Sequence, residues 1–267
     1  MFVVPQKGAY IVNRKGKYKT VIEDSEITHD IDQLPNGNFI YTRGFVNKGD
    51  DEVREVTPTG KIVWKWSHAD YFPDREKYLT NVPEGMKDNW RGRHRVLRTD
   101  GIDWAHVNAV ERYKNGDTLI SLRNFLMFVI VDPKGYPKKL HKDIWLVHEP
   151  HKTNFGFIAS DRFSGRGAVQ FSIVKILKNG KREDLLTRDF FAVRGIEVLP
   201  SGRFNITSVG NVFEMDAAGK IVRRMHLTIQ DEDSENNLGA DKRPGRVLVE
   251  GRCAPKNLYK VVKTKIY

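Results

Sequence analysis

A single cysteine, Cys253, excludes an internal disulfide and fits a reducing compartment. Long apolar runs are also missing: the longest covers residues 125–131, far too short to cross a bilayer. The N-terminal stretch M-F-V-V-P-Q-K-G lacks a basic n-region and an apolar h-region, so no signal peptide is expected. Several catalytic signatures are absent as well. There is no G-x-S-x-G elbow, and the glycine-rich pieces at 92–95 and 165–167 do not have the form of phosphate loops. His148-Glu149-Pro150-His151 is one residue short of H-E-x-x-H, and its proline argues against a helix. These absences point to a soluble, cytoplasmic protein with no membrane partner.

Charged residues make up 30% of the chain without a long block of one sign, and hydrophobic residues make up 39%. That balance supports a packed core over disorder. The 45 Lys and Arg against 34 Asp and Glu leave a net charge of +11. A basic chain can meet nucleic acid, an acidic surface or a small anion. No aromatic-and-basic module of the RNA-binding kind is visible, so a nucleic-acid partner is not expected. A solvated basic surface and an anion-attracting cleft both fit the charge.

The chain speaks most clearly through its turns. Pro35-Asn36-Gly37, Lys114-Asn115-Gly116 and Pro200-Ser201-Gly202, with Gly156, each separate two β-type segments. A second set follows at Thr57-Pro58-Thr59-Gly60, Asp132-Pro133-Lys134-Gly135, Lys178-Asn179-Gly180 and Ala218-Gly219. The alternation predicts four-strand units of about forty residues, the signature of an all-β propeller. A partial unit around Arg243-Pro244-Gly245 and an outer half-unit at residues 9–23 predict five blades, or six, in a ring closed by the N-terminal strands. The whole chain, 1–267, then forms one propeller domain. Residues 67–104 break the pattern and would lie over the channel mouth as a lid, with a short helix at 74–79.

Register on this repeat selects candidate residues. Eight positions before each first turn glycine stand His29, Asn108, His148, Arg194 and Asn237. Six or seven positions after it stand Arg43, Arg123, Arg162, Ser208 and Arg252. First-strand starts and second-strand ends share one face of a propeller, so His106, His151 and several of these side chains would converge on one mouth. Arginine grips sulfate, phosphate or carboxylate through a planar fork of donors. Histidine can serve as nucleophile, acid or base. Asp32, Glu111, Glu149 and Glu197 on the same strands could instead lock the arginines into salt bridges. A channel metal such as calcium, held by Asn108, Glu149 and histidines, stays open. Cys253 reads as a core residue, and His68, His94, His141 and His226 as peripheral.

Three stretches resemble the arylsulfotransferase family: H-D-I-D-Q-L-P-N-G-N-F-I-Y from His29, E-V-T-P-T-G-K-I-V-W-K-W from Glu55, and D-W-A-H-V-N through S-L-R-N from Asp103. The likeness runs over roughly residues 28–225. It implies a propeller that moves a sulfuryl group from a phenolic sulfate ester to another phenol, through a sulfated histidine and without a nucleotide donor or other cofactor. It implies an active-site role for His106, another for His151, and a sulfate-gripping role for Arg162 or Arg166. His29 and Arg123 come from register alone. The family's sulfate-accepting histidine lies further along the chain, where the fourth inner strand offers Arg194. Two other readings therefore stand beside transfer: a non-catalytic propeller binding an anionic ligand or protein partner, and a metal-dependent hydrolase of propeller type.

Overall fold

In a computed structural model, described for residues 2–4, 7–12, 17–44, 52–72, 105–142, 144, 147–165, 168–188, 193–208 and 211–226, the chain is almost entirely antiparallel strand. Four four-stranded sheets follow one another along the sequence. The first holds β4 (Ile27–Gln33), β5 (Phe39–Arg43), β6 (Val53–Val56) and β7 (Ile62–Trp66). The second holds β8 (Val107–Arg112), β9 (Thr118–Leu122), β10 (Met127–Val131) and β11 (Pro137–His141). The third holds β12 (His148–Lys152), β13 (Gly156–Gly165), β14 (Ala168–Leu177) and β15 (Arg182–Arg188). The fourth holds β16 (Val193–Val198), β17 (Phe204–Ser208), β18 (Asn211–Met215) and β19 (Ile221–His226). Each is a propeller blade, traced from an inner strand outward.

Ahead of them, β1 (Phe2–Val4), β2 (Gly8–Val12) and β3 (Tyr18–Glu23) form a three-stranded sheet of their own. Among the described residues the complete four-stranded blades number four, against the five, or six, expected from turn spacing. The fifth unit at Arg243-Pro244-Gly245, the 74–79 helix and the 73–104 part of the insertion lie outside the described residues.

The turns explain the regularity. Between β8 and β9, Gly116 at φ 86° donates its amide to Tyr113 O, while the Asn115 side chain takes the Asp117 amide. The same arrangement recurs at Gly37, with Asn36 in place of Asn115. Left-handed backbone is open to glycine at no steric cost, so the turn residues dictate where strands reverse. Gly156 has a second reason: at φ 143°, a Cβ there would stand 2.1 Å from Ile176 O.

Packing occurs between blades, not around a single centre. One cluster joins Leu34, Ile40 and Trp66 of the first blade to Ile120, Val129 and Val131 of the second. A second joins Ala9 and Ile22 to Ile31 and Tyr41. Others join Phe128 to Phe157 and Val174, and Ile158 and Ile173 to Phe204 and Phe213. The middle strands of the second blade, β9 and β10, are covered on both faces and carry unbroken apolar or small residues; all of β9 is buried. Outer strands are mostly exposed or half-buried, and β7 buries only Trp66 fully. That tryptophan donates its Nε1–H to Gly135 O at 3.1 Å, and Trp64 does the same to Pro133 O at 3.1 Å. The first blade's edge thus hooks onto the outer turn of the second.

Candidate functional site

All four inner strands break register near their starts. The pairing shifts between Ile27 and Ile31, Val107 and Val110, His148 and His151, and Val193 and Gly195. A bulge adds an unpaired residue, bends the strand and re-aims side chains. Pro150 is tolerated inside β12 because it falls within such a shift. Two non-glycine residues at these starts take positive φ, His106 at 50° and Glu149 at 46°. Backbone of that kind costs on the order of 1–3 kcal/mol and collects at functional sites.

The bulges bring side chains from three blades together. The His29 ring stands 5.0 Å from that of His106 and 6.3 Å from that of His148, both edge-on. Arg123, buried at the end of β9, places Nη1 3.0 Å from Nε2 of His106. A guanidinium only donates, so Nε2 of His106 is the accepting, unprotonated nitrogen and its proton sits on Nδ1. The Thr28 hydroxyl engages Nδ1 of His29. Asn108 is 1% exposed; Ser121 donates to its Oδ1, while its Nδ2 has no hydrogen-bond partner among the described residues. Three imidazoles, one guanidinium and a buried amide share this end of the inner strands. Such a set can hold a tetrahedral oxyanion and pass protons.

His151 lies further along β12 and has a different environment. Its Nδ1 is 3.5 Å from Glu111 Oε2, and its Nε2 is 3.5 Å from Glu149 Oε2. Glu111 also accepts the Lys152 amide at 3.1 Å. Glu111 and Glu149 of the inner strands therefore flank a histidine, while Glu197 accepts from Asn205 Nδ2 at 2.9 Å. Arg43, the register equivalent of Arg123, is held by Asp24 through Nε at 2.7 Å and Nη2 at 3.4 Å, with Arg54 3.5 Å away on the same carboxylate. Burial raises the Asp24 carboxyl, but Arg43, the Glu26 amide and Tyr41 outweigh it, and the net shift is downward. Arg162 sits on β13 opposite Phe171, and Arg194 lies within the β16 bulge. Arg166, Asn237 and Arg252 lie outside the described residues.

Two histidines read as peripheral are in fact buried. His68, 2% exposed, sets Nδ1 2.5 Å from Glu52 Oε2 and receives Phe125 edge-on at 5.8 Å. His141 stacks on Phe128 at 4.5 Å and leans on Phe157 at 4.6 Å; burial lowers its pKa to about 4. Glu52 and His68 stand at the two ends of the β6–β7 hairpin and Phe128 faces His141 across β10–β11, while Phe157 comes from the next blade. Among the described residues, no group of three or more His, Cys, Asp or Glu side chains is arranged to hold a metal ion.

The protein is thus a β-propeller whose inner strands gather histidines and an arginine at one end. The arylsulfotransferase (ASST) family model matches residues 1–140, slightly over half of the chain, and the protein belongs to that family. The match contains His29, His106, Asn108 and Arg123 and stops before His148. Solved structures share the fold alone. A Bacteroides caccae protein of unknown function aligns at TM-score 0.51 and 14% identity, over 83% of this chain and 75% of its own. A protein provisionally assigned as a gluconolactonase aligns at 0.53 and 15%, over 85% and 72%. A streptogramin B lyase aligns at 0.44 and 11% over 74% of this chain, which spans only 54% of the lyase. No curated protein matches the chain.

Proposed function

We propose that the protein transfers a sulfuryl group between phenols through His106. The supporting observation is the 3.0 Å approach of Arg123 to His106 Nε2 beside the ring of His29. That contact fixes the lone pair on the nitrogen facing the guanidinium. An aryl sulfate entering here puts its sulfuryl oxygens on Arg123, which exchanges its bond to nitrogen for bonds to oxygen. Nε2 attacks sulfur, the bond from sulfur to the aryl oxygen breaks, and the departing phenoxide takes a proton from the His29 imidazolium. The acceptor phenol returns a proton to His29 and attacks the same sulfur, the S–N bond breaks, and free His106 is restored. Arg123 steadies the equatorial charge in both steps. His148 and Asn108 line the anion's other side.

His151 is not given the nucleophile's part. Both of its nitrogens face carboxylates, and those carboxylates repel an anionic ester. The test is incubation with para-nitrophenyl sulfate and a phenol acceptor. Expected are release of para-nitrophenol, appearance of the acceptor's sulfate ester, and a protein mass increase of one sulfuryl group mapping to His106. Full activity in His106→Ala, or a sulfuryl group mapped to His148 or His151, would remove His106 from that role. Binding of the ester without turnover would leave an anion-binding propeller.

A further inference from the structure

We infer that Asp30 is a positioning residue, resting on the function just proposed: its carboxylate latches the first blade's inner strand to the second's and sets His29 against His106. Asp30 is 1% exposed and follows His29 within the β4 bulge. Its Oδ2 accepts the Val110 amide at 2.9 Å across the blade boundary. Val110 is the residue at which β8 regains register after the shift that spans Asn108. An inner strand is an edge of its sheet, so alternate amides face away from the ladder, and a buried amide left unpaired is costly. The carboxylate supplies that partner from the neighbouring blade, through a charge-assisted bond stronger than a neutral one.

Asp30 is itself held from behind. Its amide donates to Thr42 Oγ1 at 3.0 Å, so the carboxylate is fixed by the second strand of its own blade. The two histidines it joins make the closest imidazole contact in the described site, 5.0 Å between centroids. One repeat further on, Glu111 of β8 takes the Lys152 amide of β12, so the acid-to-amide connection between successive inner strands recurs. The first latch differs in being buried and in lying directly beside the imidazole pair. Loss of it frees the β8 bulge, and with it the position of His106 relative to His29.

The experiment uses the full chain with Asp30→Ala, Asp30→Asn and the control Arg43→Ala, which loosens the same blade at Asp24. Imidazole and backbone-amide NMR signals are read together with aryl-sulfate transfer. In Asp30→Ala the His29 and His106 ring signals are expected to move and kcat to fall about 10²-fold, KM for the ester changing less. Asp30→Asn keeps an acceptor oxygen, so the Val110 amide proton moves upfield while the ring signals shift less than in the alanine variant. Arg43→Ala should leave the ring signals in place. The inference is overturned if Asp30→Ala leaves the rings unmoved, or if Arg43→Ala displaces them equally. Should Asp30→Ala not fold, an unchanged Val110 amide in Asp30→Asn overturns it just as well. The NMR arm needs no turnover, so failure of sulfuryl transfer alone would count against the proposed function and leave the latch standing.

Discussion

Arg43 and Arg123 occupy the same place in successive blades, at or just past the end of the second strand, and their fates differ. Arg43 is matched by a carboxylate, with Tyr41 and Arg54 completing a closed cluster around Asp24. Arg123 meets a histidine on the inner strand of its own blade. The difference originates in what precedes each inner strand. The β3–β4 turn supplies Asp24 beside Arg43, whereas the residue just before β8 is His106 in left-handed backbone. A repeat supplies the cation at each blade, and the local turn decides whether it is a rivet or a tool.

The sharpest way to break this comparison is Arg123→Ala, expected to lower kcat for sulfuryl transfer about 10²–10³-fold, the usual loss for one oxyanion donor. The fold should persist, which circular dichroism checks. Arg123→Lys should recover little, because an ammonium lacks the planar fork. Arg43→Ala should do the opposite: about 3 kcal/mol off stability in urea melts, because Asp24 is left buried beside Arg54 alone, with kcat retained.

His141 supplies a pH signature away from both arginines. Its folded pKa of about 4 lies below the ordinary imidazole value of 6.5. Above 6.5 the ring is neutral in both states and favours neither. As pH falls from 6.5 towards 4 the unfolded chain takes up the proton first, so stability drops, by up to about 3 kcal/mol at 1.36 kcal/mol per unit. His141→Phe should flatten that part of the stability–pH curve. The smallest effect belongs to Tyr41→Phe, which removes the 2.8 Å bond to Asp24 Oδ2 and should cost about 1–2 kcal/mol without touching transfer.

Much of the blade pattern was legible because its signals are local. A glycine that must adopt positive φ, flanked by alternating residues, marks a reversal without any knowledge of distant contacts. His106 and Arg123 could be placed together because they sit at the two ends of one hairpin. What escaped reading was long-range. The pairing of Asp24 with Arg43 joins the end of one sheet to the second strand of the next. His141 is covered partly by Phe157 of the next blade, which no local pattern announces, whereas His68 and Glu52 face each other across one hairpin but carried no motif. The inner-strand bulges have no sequence mark beyond Pro150, although they decide where the imidazoles point. The resemblance implied active-site roles for both His106 and His151, yet two glutamates surround His151.

The hydrophobic seams between neighbouring sheets carry a consequence for how the molecule comes apart. Among the described residues each seam touches only the sheets on either side, and no central keystone ties all of them at once. Stability should then be transmitted from blade to blade like tension along a belt, each sheet being only as secure as its two neighbours. Hydrogen-exchange protection would be graded around the ring, highest in strands such as β9 and β10 that have a seam on both faces. His29, His106 and His148 belong to three different links of that belt. Their shared geometry is therefore a property of the chain of contacts, and a weakness in any link between them would reach the site.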